Sequence, residues 1–186
     1  MPDYPIKFTP VLKQKVWGGS KLKEILHKNV VGNNIGESWE ISGVEGEISV
    51  VSNGKFECKD LSELLKEYRD ELVGSKVYKE FGNSFPLLIK FIDAKIELSV
   101  QLHPNDRLAR ERHNSFGKTE MWYILQADAG AELKIGYKNP VDKNTYLKHL
   151  EEGTFTKLLN FEKVKAGDAF FINTGKVHAI GGGVLL

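Results

Sequence analysis

The sequence predicts a mainly β protein with helices, an α+β chain whose later strands form a sandwich or barrel and whose helices form an insertion. Two observations lead there. Short stretches rich in Val, Ile, Phe, Trp and Tyr, separated by glycine turns, dominate the second half, as in a closed or face-to-face sheet. One long stretch in the first half, Asp60 to Phe81, instead carries apolar residues at helical spacing.

In chain order, Pro5 to Val51 is the least regular part. It holds Val16-Trp17-Gly18-Gly19-Ser20 and Gly36-Glu37-Ser38-Trp39-Glu40-Ile41-Ser42. Tryptophan beside small residues suits a turn plugged by an aromatic ring; a wall that stacks on a sugar is the second reading, behind the first on composition alone. From Asp60 onward, Leu61, Leu64, Leu65, Tyr68 and Leu72 share one helical face. Asp60 with Glu63 makes a capping-box start, Gly74 divides the region into two helices, and Gly82 and Pro86 end it. Strands are expected at Leu87–Asp93 and Glu97–His103, a helical turn or two at Arg107–Arg112, and strands at Glu120–Gln126 and Ala131–Tyr137. Asp142–Glu152 reads as a short helix stopped by Gly153. Ala169–Asn173 and Val177–Ile180 are strands around the turn Thr174-Gly175-Lys176, and the glycine run 181–183 turns into a further strand.

The chain has 186 residues, 41% apolar and 27% charged, with net charge +1. That balance leaves no electrostatic footprint for nucleic acid or an anionic membrane. The single cysteine, Cys58, excludes an internal disulfide and a multi-cysteine zinc site. Neither a signal peptide nor a run of about 18 apolar residues is present, so a cytoplasmic soluble protein is expected.

The chemistry concentrates in three segments. In Glu97–His103, strand alternation puts Leu98, Val100 and Leu102 on one face and Ser99, Gln101 and His103 on the other. That polar row suits either a surface or a cavity lining. Lys118, Glu120 and Trp122 alternate in the same way, away from Met121 and Tyr123. In Gly175-Lys176-Val177-His178 a histidine follows a tight turn after an apolar strand. His113 and His149 read as solvated and His27 as structural, which leaves His103 and His178 as strand-borne neighbours of other donors. A lone histidine is more often a satisfied core residue than a ligand. Two histidines, a carboxylate and a glutamine converging inside a small barrel would suit Zn²⁺, Fe²⁺ or Mn²⁺.

Together, Gln101-Leu102-His103-Pro104, Gly117-Lys118-Thr119-Glu120-Met121-Trp122-Tyr123 and Gly167-Asp168-Ala169-Phe170-Phe171-Ile172 leading to Gly175-Lys176-Val177-His178 resemble the type I mannose-6-phosphate isomerases, especially their shorter bacterial form. The segments around Trp17 and Trp39, and Phe85-Pro86-Leu87-Leu88-Ile89-Lys90-Phe91, resemble them too. The likeness covers essentially the whole chain in the correct order. It implies a cupin-type double-stranded β-helix, or jelly roll, with a helical insertion, of which residues 1–186 are the N-terminal and metal-binding portion. It also implies one zinc ion per chain held by Gln101, His103, Glu120 and His178. Trp17, Glu40, Ser99, Lys90 and Lys118 would line the substrate site, Lys90 and Lys118 being the catalytic candidates.

Two departures stand out. Asn173 replaces a proline common before the Gly-x-x-His turn. The family's catalytic arginine and its later barrel strands fall beyond Leu186, so the chain reads as a fragment and is expected to show little or no isomerase activity by itself. The implied reaction interconverts mannose 6-phosphate and fructose 6-phosphate through an enediolate, with a sugar phosphate as partner and no bearing on oligomeric state. The alternative is a non-catalytic, metal-containing sugar-binding cupin. An iron dioxygenase is disfavoured, since many oxygenase cupins carry His-x-His where this chain has Gln-x-His.

Overall fold

The computed structural model describes residues 3–186. The chain divides into two compact units. One comprises the described residues up to Val16 together with Leu22–Ile92, the other Trp17–Lys21 and Asp93–Leu186.

The first unit contains most of strand β1 (Val11–Gly19) and of the short helix α1 (Lys21–Glu24), then β2 (Ile35–Ser42), helices α2 (Leu61–Tyr68), α3 (Asp70–Val73) and α4 (Ser75–Phe81), and most of β3 (Leu88–Ala94). β1 and β2 lie where the sequence reads as irregular, because pairing rather than local alternation defines them. β2 runs antiparallel to β3 with Glu37 opposite Ile92 and Trp39 opposite Lys90, and the register shifts between Trp39 and Ile41. The helical insertion starts as the sequence predicts. Asp60 accepts the Glu63 N–H at 2.8 Å and Glu63 Oε2 accepts the Asp60 N–H at 2.8 Å. Leu61, Leu64 and Leu65 are buried, and Val51, Phe56 and Leu64 form a small core with Tyr4, Ile6, Phe8, Tyr68 and Leu72 against it. The insertion has three pieces, not two. Gly74 breaks it as expected, and a second break falls at Arg69, whose φ of +48° takes the chain out of the helical region.

The second unit holds α5 (Asp106–His113), β4 (Glu120–Tyr123), β5 (Gln126–Ala127), β6 (Glu132–Tyr137), α6 (Lys143–Glu151), β7 (Leu159–Lys163), β8 (Ala169–Ile172), β9 (His178–Ile180) and β10 (Val184–Leu185). Asn105 caps α5 through the Leu108 N–H, and Asp142 caps α6 through the Thr145 N–H. β4 pairs with β8, β6 lies between β7 and β9, and β10 lies between β5 and the end of β3. Leu133, Leu159, Ile172, Val184 and Leu185 are fully buried among these strands.

The expected strand at Glu97–His103 is a correction. Among the described residues it makes one isolated bridge, Gln101 to His178, and no regular ladder. Its partner β9 is only three residues long, so a longer ladder has nothing to pair with. Its apolar row is split as well, since Leu98 is 7% exposed and Leu102 is 56% exposed. Among the described residues no helix is long and apolar enough to cross a membrane.

Candidate metal centre

Three donors that are distant in sequence come together in the second unit. One ligand atom from each of His103, Glu120 and His178 lies within 4.8 Å of the other two. Glu120 opens β4 opposite Ile172 of β8. On β4, Trp122 is buried while Met121 and Tyr123 are exposed, which is the alternation the sequence predicts, so Glu120 shares the inward face. His178 opens β9 and is 2% exposed. His103 is held at the end of its segment by its carbonyl, which accepts the Gly175 N–H at 2.8 Å.

The distances test whether these residues suit a cation. Glu120 Oε1 is 3.4 Å from His103 Nε2, and Glu120 Oε2 is 3.5 Å from His178 Nε2. Both are long for a hydrogen bond, and the buried His103 Nε2 has no hydrogen-bond partner. Two donors each about 2.0–2.1 Å from a shared tetrahedral zinc stand roughly 3.3–3.4 Å apart, so the spacing fits donors around an ion. The tautomer fits as well. His178 Nδ1 lies 2.8 Å from the Lys176 carbonyl oxygen; donating its proton there leaves Nε2 as a lone pair facing Glu120. The buried Trp122 indole packs edge-on against the same imidazole at 5.3 Å, which limits its rotation.

The electrostatics of His103 and Glu120 favour the forms that bind metals. Burial disfavours the charged form of His103, the nearby Lys118 ammonium adds to this, and its pKa lies below the ordinary imidazole value despite Glu120. Burial alone would raise the pKa of Glu120. The hydrogen bond and charge of Lys118, whose Nζ is 2.9 Å from Oε1, outweigh it with help from the two imidazoles, and the carboxyl stays below its usual range.

The other expected site residues have separate settings. Gln101 is the direct cross-strand partner of His178, so its Cβ shares that face; Gln101 and Ser99 are both exposed. Trp17 is half-buried, its carbonyl accepting the Lys95 N–H at 2.9 Å. Lys90 and Glu40 belong to the first unit and occupy opposite faces of the β2–β3 pair. Lys90 Nζ is 3.1 Å from Glu37 Oε1, beside Trp39. Glu40 bonds Ser38 Oγ at 2.5 Å and Lys28 Nζ at 2.6 Å. The sequence reading passed over Glu37, although it stands in the quoted Gly-Glu-Ser-Trp run. It is buried, accepts the Trp39 indole N–H at 2.6 Å, and its pKa is lowered: burial opposes ionisation, and Trp39 and Lys90 outweigh it.

A family model described as phosphomannose isomerase type I, catalytic domain, matches residues 6–138. The chain is 39% identical over 186 residues to mannose-6-phosphate isomerase ManA of Bacillus subtilis (strain 168), covering 100% of this chain and 57% of that protein. It is 36% identical over 182 residues to mannose-6-phosphate isomerase of Streptococcus mutans serotype c (strain ATCC 700610 / UA159), covering 98% and 56%. The crystal structure of mannose 6-phosphate isomerase from Bacillus subtilis superposes with a TM-score of 0.87 at 35% identity, over 97% of this chain and 56% of that one. The chain thus spans little more than half the length of the curated relatives it matches, and the mixed sheet-and-helix, cupin-type fold expected from the sequence is the one they share.

Proposed function

Because this chain belongs to the phosphomannose isomerase type I family, we propose that it supplies the metal-binding portion of a zinc-dependent aldose–ketose isomerase that interconverts mannose 6-phosphate and fructose 6-phosphate. The observation that carries the reading is the His103–Glu120–His178 cluster, with both Nε2 atoms 3.4–3.5 Å from the two oxygens of one carboxylate. Relatives of 39% and 36% identity named as mannose-6-phosphate isomerases supply the substrate.

In this reading His103, Glu120 and His178 hold the cation, with Gln101 as a neutral fourth donor. The bound cation supplies a Lewis acid for the oxygen at which negative charge develops as a proton moves between C1 and C2. One carboxylate among otherwise neutral donors leaves the centre net positive, which favours an anionic sugar phosphate. Lys118 has a second task. Its side chain is 48% exposed, so its ammonium can meet substrate while it orients Glu120. That makes it the candidate in this unit for holding or moving a proton. Trp17 and Ser99 are the proposed sugar contacts.

The test is mannose 6-phosphate binding by this chain, and isomerisation by a longer chain that also carries the arginine segment, each followed by NMR with zinc present and after its removal. Fructose 6-phosphate that forms only with zinc supports the reading. Zinc-loaded protein that neither binds nor converts mannose 6-phosphate rejects it.

A further inference from the structure

Lys134 is a buried charge that the proposed reaction leaves unused. It lies in β6, the middle strand of its sheet, and is 6% exposed. A lysine so enclosed needs a counter-charge. Its Nζ is ion-paired with Glu97 Oε2 and sits 5.1 Å from the centre of the Phe161 ring. Glu97 opens the segment that leads to Gln101 and His103. That segment is no regular strand. It is tied to β9 by the Leu98 N–H on the Ile180 carbonyl at 2.9 Å and by the reciprocal bonds between Gln101 and His178 at 2.8 and 2.9 Å. Lys134 is itself the cross-strand partner of Ala179, next to His178. One side chain therefore joins the strand pair that carries His178 to the start of the segment that carries Gln101 and His103.

We propose that Lys134 is a positioning residue for the metal centre, its ion pair with Glu97 setting where the 97–103 segment lies against β6 and β9 and hence how far apart the imidazoles of His103 and His178 stand. The inference rests on the metal-centre reading above. Donors around an ion must be held to within about 0.5 Å, and at the Glu97 end the ion pair adds a side-chain tie to the backbone bond from Leu98 to Ile180, so its loss lets that end shift. The His103 end keeps its bond from Gly175, so loss of the pair spreads the donors without unfolding the unit.

The test uses the pair of substitutions Lys134→Met and Glu97→Gln in one protein. Removing both charges avoids stranding either, so the metal-free variant should melt close to the wild-type temperature. Its cobalt affinity, read from the ligand-field absorption band and by zinc competition, should fall by about 10- to 100-fold, and the amides of Leu98 and Gln101 should exchange faster in the metal-free state. Wild-type affinity and exchange in this variant would overturn the proposal. Glu97→Asp keeps both charges and shortens the reach by one methylene, so it gives the same reading should the double variant fail to fold: weaker cobalt binding is expected, and unchanged binding overturns the idea. A wild-type chain that takes up no cobalt overturns the metal centre and this inference together, whereas normal wild-type uptake with unchanged variants overturns this inference alone.

Discussion

Gln101 and His178 are antiparallel partners that exchange both backbone hydrogen bonds, at 2.8 and 2.9 Å. Partners in such a pair have Cα atoms about 5.5 Å apart and side chains on one face. The pairing brings two segments that lie far apart in the sequence to one point. Among the described residues it is the one β-bridge the 97–103 segment makes, and single backbone bonds at Leu98 and His103 add to it.

If that centre binds a divalent ion, His103→Ala and His178→Ala should each lower zinc affinity by more than about 100-fold, the upper end of what loss of a supporting contact costs. His149→Ala, whose ring meets Thr154 Oγ1 at 2.7 Å on another part of the unit, should leave zinc content unchanged. Elemental analysis after dialysis against excess zinc and desalting measures all three.

Glu37 gives a pH signature in the first unit. Its folded pKa is depressed, with Trp39 and Lys90 outweighing burial. A depressed carboxyl contributes stability above its unfolded pKa, about 4.3, and loses it as pH falls through the lower folded value. Glu37→Gln should therefore destabilise by about 1–3 kcal/mol at pH 7, and the gap should narrow as pH falls below the unfolded value and close once it passes the lower folded one. Urea unfolding of both proteins across that range checks the sign.

Asp60→Ala removes the cap of α2 and should cost about 1 kcal/mol, while Asp60→Asn, which can still accept the Glu63 N–H, should cost only a fraction of that. Thermal melts of the two variants decide.

Gly181→Ala should destabilise the second unit, because a Cβ there would strike the Glu132 carbonyl of β6, which is backbone and cannot swing away. A melting temperature equal to wild type would show that β6 and the segment after β9 can move apart.

What the sequence revealed was local. The alternation of Glu120 and Trp122 against Met121 and Tyr123 needs only neighbouring residues, and so does the Asp60–Glu63 box; both stand in the structure. The donors His103, Glu120 and His178 were legible through their short motifs, and the structure brings them together. What stayed hidden depends on distant partners or on backbone conformation. The 97–103 segment reads as a strand, yet β9 is too short to extend its ladder. Glu37 becomes the partner of Lys90 only through the β2–β3 register. The carbonyl that fixes the His178 tautomer comes from Lys176, and no side-chain pattern announces a carbonyl. The break at Arg69 has no signal in residue type.

The most direct measurement is anomalous scattering at the zinc edge from crystals grown with one equivalent of zinc. The account predicts one strong peak within bonding distance of Nε2 of both His103 and His178 and of the Glu120 carboxylate. A zinc peak elsewhere, with these three side chains clustered and vacant beside it, would contradict it.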